Sequence, residues 1–229
     1  MVTLISIFAA IIGNLVLSRI YNSKQIGILF QNSQNRNIPL TSIFLFHKIA
    51  GFIILGLIPG FFVFAVFPQN AALFELSIGH IKEYWYLLGL PVLIVFINYF
   101  LANNPAIFNR YPEMRFSEWT KTKLAVSVFG WTIYLLGYEF LFRGLLFFSV
   151  YRSFGLLVSL AVNVIIYSAV HISKGKSEMI AAVPFGILLC YISLLTESFI
   201  LPFVIHLSLA LSTDFFSIHH NPEMKLVHS

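Results

Sequence analysis

Hydrophobic residues dominate the sequence in seven long runs that polar segments separate. The runs cover about residues 2–17, 42–67, 84–102, 124–150, 156–172, 179–195 and 199–218. A helix that crosses a bilayer needs about 20 mostly apolar residues, within a range of about 17–25. The first run is short by this measure and the fourth is long. The pattern therefore predicts an all-α, polytopic transmembrane helical bundle of about seven spans, with six to eight as the range.

The composition agrees with helices that lie in lipid. Hydrophobic residues make up 59% of the chain and charged residues only 10%, whereas soluble proteins carry about 25% charged residues. The mean hydropathy is +0.87. Because no soluble module interrupts the runs, we expect a single integral membrane domain over residues 1–229 with the lipid bilayer as its surroundings.

Basic residues are concentrated in alternate connections between the runs. Eleven of the 14 Lys and Arg residues lie in or beside the loops after runs one, three, five and seven. Only Lys82 and Arg152 lie in the other loops, and Arg143 lies inside run four. The positive-inside rule predicts that the eleven face the cytoplasm, with the N-terminus outside and the C-terminus inside. Since the positive charge is divided among separate loops, the sequence pI of 9.4 gives no indication of nucleic-acid binding.

Four polar side chains interrupt the apolar runs: Glu139, Arg143, His171 and His206. A charged residue at the centre of a bilayer costs about 2.5–3.5 kcal/mol on insertion scales. Glu139 and Arg143 are four residues apart and therefore share one helix face. An acid and two imidazoles on three separate spans favour a polar site inside the membrane. The alternatives are an ion pair that locks two helices together and histidines that pack with hydrogen-bonded partners.

The depth of these residues bears on whether they share that site. Runs four and five predict a helical hairpin that turns near Phe154, with Glu139 15 residues before it and His171 17 residues after it. At about 1.5 Å per residue, the two differ in depth by only about 3 Å. His206 lies near the start of run seven and would be about 12 Å shallower than Glu139 in straight helices. The spacing therefore supports a shared site more strongly for His171 than for His206.

The types of residue in this cluster favour hydrolysis by activated water. A carboxylate accepts the proton of attacking water, and neutral imidazoles hold a metal ion or hydrogen-bond an oxyanion. The sequence contains no recognisable Ser or Cys nucleophile motif, no H-E-x-x-H motif and no Gly-rich phosphate loop. The single cysteine, Cys190, excludes intramolecular disulfides and a thiolate zinc site.

The same residues carry a resemblance to a known family. The segment Tyr138–Gly144 resembles E-E-x-x-F-R-G, the first motif of the CPBP membrane proteins. These comprise type II CAAX prenyl endopeptidases and bacterial bacteriocin-processing or immunity (Abi) proteins. Tyr167–His171 resembles their second motif, F-x-x-x-H, with Tyr in place of Phe, and Pro202–His206 resembles the approach to the third, H-x-x-x-N/D. The resemblance covers a family-like core of about residues 109–218.

The resemblance implies an intramembrane metalloendopeptidase. Glu139 would be the base, Arg143 would orient Glu139, and His171 and His206 would be metal or oxyanion ligands. If a divalent metal ion is bound, zinc is the first candidate, with Glu139, His171 and His206 as its ligands. The implied partner is a peptide or protein substrate, prenylated or membrane-inserted, and the implied location is the bacterial inner (plasma) membrane.

Two positions depart from the family pattern and keep a second interpretation open. Tyr138 replaces the first glutamate of the E-E pair, which is usually given the water-activating role, and Ala210 stands where Asn or Asp ends the third motif. Asp214, two turns after His206, is a candidate substitute. These departures favour a catalytically degenerate family member that acts as a bacteriocin-immunity or maturation partner. A transporter or channel is a third alternative, although the halves show no inverted repeat.

Overall fold

Helices make up nearly all of the secondary structure. The computed structural model describes residues 1–25, 37–67 and 80–227. The α-helices are α1 (Val2–Tyr21), α2 (Asn37–Gly51), α3 (Ile58–Val66), α4 (Gly89–Leu101), α5 (Pro105–Phe108), α6 (Lys121–Glu139), α7 (Phe148–Phe154), α8 (Leu156–Val170), α9 (Lys176–Thr196) and α10 (Ile200–His220). Within these ranges, π-helices cover Phe52–Leu57 and Phe140–Phe147, and 3-10 helices cover Trp85–Leu88 and His171–Lys174. Two short strands, β1 (Glu118–Trp119) and β2 (Lys225–Leu226), pair in parallel.

Among the described residues, six helical segments are long and apolar enough to cross a membrane. They are Val2–Tyr21, Leu40–Val66, Lys121–Phe154, Leu156–Lys174, Lys176–Thr196 and Ile200–His220. A shorter apolar segment, Trp85–Leu101, brings the number to about seven. The prediction of an all-α polytopic bundle is therefore confirmed. The long fourth run is a continuous helical segment of 34 residues, in which a π-helix follows α6 and precedes α7.

The first π-helix adapts the second span to a proline. Pro59 has no backbone N–H, and a proline ring clashes with the carbonyl four residues earlier in an α-helix. Just before it, the Ile58 N–H donates to the Ile53 carbonyl, which is five residues back. The wider π turn over Phe52–Leu57 thus precedes the proline inside a continuous apolar helix.

The chain divides into two compact units. The first unit consists of Met1–Ser18, Gly51–Tyr86 and Leu136–Phe203, and the second of Arg19–Ala50, Leu87–Leu135 and Val204–Ser229. The single domain over residues 1–229 stays a prediction.

A buried lysine organises the core of the second unit. Lys48 is only 1% exposed, and its Nζ lies 2.8 Å from Glu113 Oε2. The same ammonium lies 3.4 Å from the centroid of the Trp131 ring. Gly130 leaves space for the Phe44 ring and the Lys48 side chain, because a Cβ at this position would lie only 2.4 Å from the Phe44 ring. A carboxylate and an aromatic face together replace the water that the ammonium loses on burial.

A histidine clamp connects two polar segments of the first unit. His80 places Nδ1 3.1 Å from Glu83 Oε1 and Nε2 3.2 Å from Glu197 Oε2. Its backbone N–H donates to the Thr196 carbonyl at 2.9 Å. Glu197 ends α9 in the left-handed conformation, with φ of 48°. A protonated ring can donate from both nitrogens at once, so hydrogen bonds and charge attraction, from Glu83 first and then Glu197, raise the pKa of His80.

The clamp predicts a pH dependence of stability. Because the pKa of His80 is raised in the folded protein, the stabilisation is complete at pH values below its ordinary value of 6.5. It is lost as the pH rises through the raised value. We expect the Tm of the purified protein to fall over that interval and this part of the decline to disappear in His80→Gln. His219→Gln, at an exposed position near the end of α10, is the matched control. An unchanged pH profile in His80→Gln would show that the clamp is not formed.

Candidate active site

The structure pairs Glu139 with Arg143 as their spacing predicts. Glu139 is the last residue of α6, and Arg143 lies in the π-helix that follows. Arg143 Nη1 lies 3.4 Å from Glu139 Oε1 and 3.2 Å from Oε2, and both side chains are 0% exposed. Inside a low-dielectric interior each charge is tolerated because the other is present. The carboxylate and the guanidinium therefore form one buried unit.

The second π-helix begins directly after Glu139. It covers Phe140–Phe147, and its residues from Leu141 to Phe147 are buried. Single π turns inside α-helices occur frequently at functional sites because they change the direction of the side chains that follow. Here the change of helix type separates Glu139 from Arg143, which are the two charged residues of the site.

Aromatic rings surround the ion pair. The Tyr167 ring centroid lies 4.4 Å from Arg143 Cζ, which is within the range of a cation–π interaction. Tyr138 stacks on Phe142 with ring centroids 4.5 Å apart, and its ring is 6.0 Å from that of Tyr167. Tyr138 is 2% exposed. The position where the family motif has its first glutamate thus holds an aromatic packing residue, and Glu139 is the one carboxylate in this motif.

Three residues spaced by four along α8 and its end line one side of the site. The amide of Asn163 donates from Nδ2 to the Phe142 carbonyl at 2.6 Å, and the Cys190 thiol donates to Asn163 Oδ1 at 3.2 Å. One turn later comes Tyr167. His171 follows at the end of the helix, where its Nδ1 donates to the Tyr167 carbonyl at 2.8 Å. The neutral ring of His171 therefore carries its lone pair on Nε2.

The predicted site residues fall in different units. Glu139, Arg143 and His171 lie in the first unit, where Tyr167 contacts both Arg143 and His171. His206 lies on α10 in the second unit and is half-buried. The convergence of His206 with Glu139 stays a prediction.

Asp214 has a defined environment in the second unit. Its Oδ2 accepts hydrogen bonds from Ser127 Oγ and Trp131 Nε1, each at 2.8 Å. The side chain is buried, with 5% exposure. Asp214 therefore links α10 to α6, which is a structural reason for an acid at this depth. Its role as a replacement for the residue at Ala210 stays a prediction.

The part of the chain that the structure describes contains no preassembled metal site. Among residues 1–25, 37–67 and 80–227, no three His, Cys, Asp or Glu side chains are grouped so that they could hold a metal ion. His171 has the tautomer that a metal-binding imidazole uses, since Nδ1 donates to a backbone carbonyl. The zinc ligand set of Glu139, His171 and His206 stays a prediction, and the chemistry proposed below is derived from the side chains themselves.

Sequence reasoning missed Asn163, although its signal was present. Asn163 is a polar residue inside an apolar run, eight positions before His171 and four before Tyr167. That spacing places the three residues on one helix face. The side chain is 0% exposed, so its amide must find its hydrogen-bond partners inside the protein.

The first unit contains an apolar pocket. It has a volume of about 420 Å³, and Phe140, the residue after Glu139, forms part of its wall. Its other lining residues include Phe52, Gly56, Gly60, Gly137 and Phe199. A Cβ on Gly56 would lie 2.8 Å from the Gly137 Cα, so the two backbones approach closely at this point. The pocket is suited to a hydrocarbon group, because its lining offers almost no polar partner.

The central part of the chain matches a model of a known protein family. Residues 120–212 match the family model described as "Type II CAAX prenyl endopeptidase Rce1-like". The matched segment lies inside the predicted family-like core of residues 109–218 and contains Glu139, Arg143, His171 and His206. No curated protein and no solved structure gives a significant match to the chain.

Proposed function

Over residues 120–212 the chain belongs to the Rce1-like family of type II CAAX prenyl endopeptidases, and from this we propose that the protein is an intramembrane endopeptidase. The observation that carries the proposal is the buried Glu139–Arg143 pair beside Tyr167 and His171, inside the matched segment. The protein is an integral membrane protein. We place it in a bacterial inner membrane, with its basic loops on the cytoplasmic side.

The proposed reaction is hydrolysis of a peptide bond by water. The Glu139 carboxylate accepts a proton from water, and the resulting hydroxide attacks the carbonyl carbon of the scissile bond. When the carbon–nitrogen bond breaks, Glu139 returns the proton to the leaving amine nitrogen. The products are a new carboxylate and a new amine, and no group on the protein is consumed.

Arg143 and His171 have separate tasks in this scheme. Arg143 holds the carboxylate of Glu139 in one orientation through Nη1. His171 is fixed by the Nδ1 hydrogen bond to the Tyr167 carbonyl, so a protonated ring presents its second N–H, at Nε2, to the oxyanion of the tetrahedral intermediate. His206 is the second proposed oxyanion or metal ligand. A bound divalent ion would supply the same stabilisation by Lewis acidity.

The substrate we propose is a peptide that carries a hydrocarbon group. Phe140 in the pocket wall directly follows Glu139 in the chain, so a lipid chain in the pocket would lie along the helical segment that carries the proposed base. Burial of the chain would supply binding energy, and the membrane would deliver the substrate laterally. The test is cleavage of matched peptides with and without a prenyl group by the purified protein in liposomes. Preference for the prenylated peptide supports the assignment, and equal cleavage of both contradicts it.

Filling the pocket should weaken binding of the lipidated peptide. Gly60→Leu places four additional carbons where a Cβ already lies 3.1 Å from the Phe140 ring. We expect KM for the prenylated peptide to rise about 10-fold or more, since small volume changes in apolar pockets have effects of about 10–200-fold. Gly89→Leu is the matched control, because a Cβ at Gly89 meets nothing within 4 Å. An equal effect of both variants, or an equal effect on the unlipidated peptide, would contradict the pocket assignment.

A specific observation favours a second candidate function. Tyr138 fills the position of the first motif glutamate with a buried ring stacked on Phe142. A catalytically degenerate protein could keep this packing and act as a bacteriocin-immunity or maturation partner. Such a protein would bind a lipidated or membrane-inserted peptide without cleaving it, and the liposome experiment therefore distinguishes the two functions.

A further inference from the structure

One face of α8 supports the ion pair at two separate points. Tyr167 places its ring against the Arg143 guanidinium, with 4.4 Å between Cζ and the ring centroid. One turn earlier, the Asn163 amide donates to the carbonyl of Phe142, the residue before Arg143. The side chain of Arg143 and the backbone that carries it are thus both held by the same helix.

The Asn163 hydrogen bond is short and fully enclosed. The Nδ2–O distance is 2.6 Å, and both Asn163 and Phe142 are 0% exposed. Cys190 on α9 donates its thiol proton to Asn163 Oδ1, which directs the amide NH₂ group at the Phe142 carbonyl. In a membrane interior no water can replace a lost partner of this kind. The amide therefore has one orientation and one backbone target.

That target lies inside the π-helix. Phe142 is the third residue of Phe140–Phe147, between Glu139 and Arg143. A π turn is a rare departure from α-helical geometry. A side-chain donor that reaches a carbonyl in this turn stabilises the arrangement in which that carbonyl points toward α8. The relative positions of the carboxylate and the guanidinium depend on this arrangement, because the π turn is the backbone that connects them.

We propose that Asn163 is a positioning residue of the active site. It donates a hydrogen bond to the Phe142 carbonyl and so stabilises the π turn. The π turn in turn fixes the position of the Glu139 carboxylate relative to the Arg143 guanidinium. Its effect on reaction rate rests on the proposed peptidase function. Its effect on the ion pair does not, and this separates the two claims experimentally.

The test compares Asn163→Ala with Ser159→Ala. Ser159 is equally buried on α8, one turn earlier, and donates to the Leu156 carbonyl of its own helix. Each protein is reconstituted in liposomes at equal folded amount. With the prenylated peptide we expect kcat of Asn163→Ala to fall about 10–100-fold at nearly constant KM, since misplacement by about 1 Å can cost about 10²-fold. Ser159→Ala should retain the wild-type kcat.

A second measurement follows the chemical reactivity of Glu139, which reports on its pairing with Arg143. Dicyclohexylcarbodiimide, an apolar carbodiimide, labels membrane-buried carboxyl groups, and peptide mass spectrometry identifies the labelled residue. We expect Glu139 to be labelled faster in Asn163→Ala than in the wild type, because its carboxyl group is no longer held by Arg143. If Asn163→Ala is labelled faster and the wild-type protein cleaves no peptide, the positioning role is supported and the peptidase proposal is refuted. Unchanged labelling in Asn163→Ala, or unchanged kcat in an active enzyme, would overturn the positioning role.

Asn163→Asp provides a conservative rescue. Its carboxylate matches the amide in size, but when ionised it has no proton to donate to the Phe142 carbonyl. A protonated carboxyl group can donate one. We expect the activity of Asn163→Asp relative to wild type to increase as the pH is lowered. A constant ratio across the pH range would contradict the role of the donor.

Discussion

Glu139→Gln should lower kcat by about 10²–10⁴-fold, which is the usual effect of losing a general base. The amide has the size of the carboxyl group and still accepts a hydrogen bond from Arg143 Nη1, but it cannot take a proton from water. The measurement is cleavage of a prenylated peptide in liposomes, expressed per amount of folded protein. Because Glu139 is the one carboxylate left in the first motif, no neighbouring acid in that motif can replace it.

The control for this prediction is Glu223→Gln. Glu223 is an exposed acid in the C-terminal segment after α10, and its substitution should leave the rate unchanged. If Glu139→Gln cleaves as fast as the wild type, water is activated elsewhere. The buried pair would then be an interhelical lock, which is the simpler alternative for these two residues.

Arg143→Ala should destabilise the protein by about 3–5 kcal/mol, the cost of removing one partner of a buried ion pair. It leaves the Glu139 carboxylate in an interior where both side chains are 0% exposed, and it removes the cation that packs on the Tyr167 ring. The measurements are Tm in detergent and the yield of membrane-inserted protein. Arg152→Ala, at an exposed arginine of α7, is the matched control and should cost less than about 1 kcal/mol.

A double variant separates charge from packing. Glu139→Gln combined with Arg143→Met removes both charges and keeps side chains of similar length. Replacing a buried ion pair by hydrophobic residues of similar volume is often neutral, and a neutral amide costs less to bury than an unpaired charge. We therefore expect the double variant to be more stable than Arg143→Ala, yet inactive. Equal Tm values for Arg143→Ala and Arg152→Ala would mean that the ion pair is not buried in the membrane.

Hydropathy alone was sufficient to predict the spans. The seven apolar runs correspond to the six long helical segments and the shorter Trp85–Leu101 within a few residues. The prediction from hydropathy succeeds because a segment that crosses lipid must satisfy its backbone hydrogen bonds internally, which makes it helical. Its length and apolarity are then enough to recognise it as a spanning helix. The pairing of Glu139 with Arg143 was predictable for a similar reason, since residues four apart share a helix face.

Other features of the site become visible only in the three-dimensional structure. The periodicity of an apolar run does not distinguish α turns from π turns, so the π-helix over Phe140–Phe147 could not be predicted from the sequence. The motif comparison interpreted Tyr138 as a missing acid, whereas the structure shows a ring stacked on Phe142. Asn163 was overlooked because a single amide in an apolar run has no charge to signal its cost, although its hydrogen bond to the Phe142 carbonyl is among the shortest in the site.

The most direct test of the central claim uses the wild-type protein alone. The purified chain is reconstituted in liposomes with a prenylated peptide in ¹⁸O-labelled water, and the products are analysed by mass spectrometry. The proposed function predicts a single cut and one solvent oxygen in the new carboxylate. A folded wild-type protein that binds the peptide and leaves it intact would contradict the claim, and would assign this chain to the binding partners that keep the fold without the reaction.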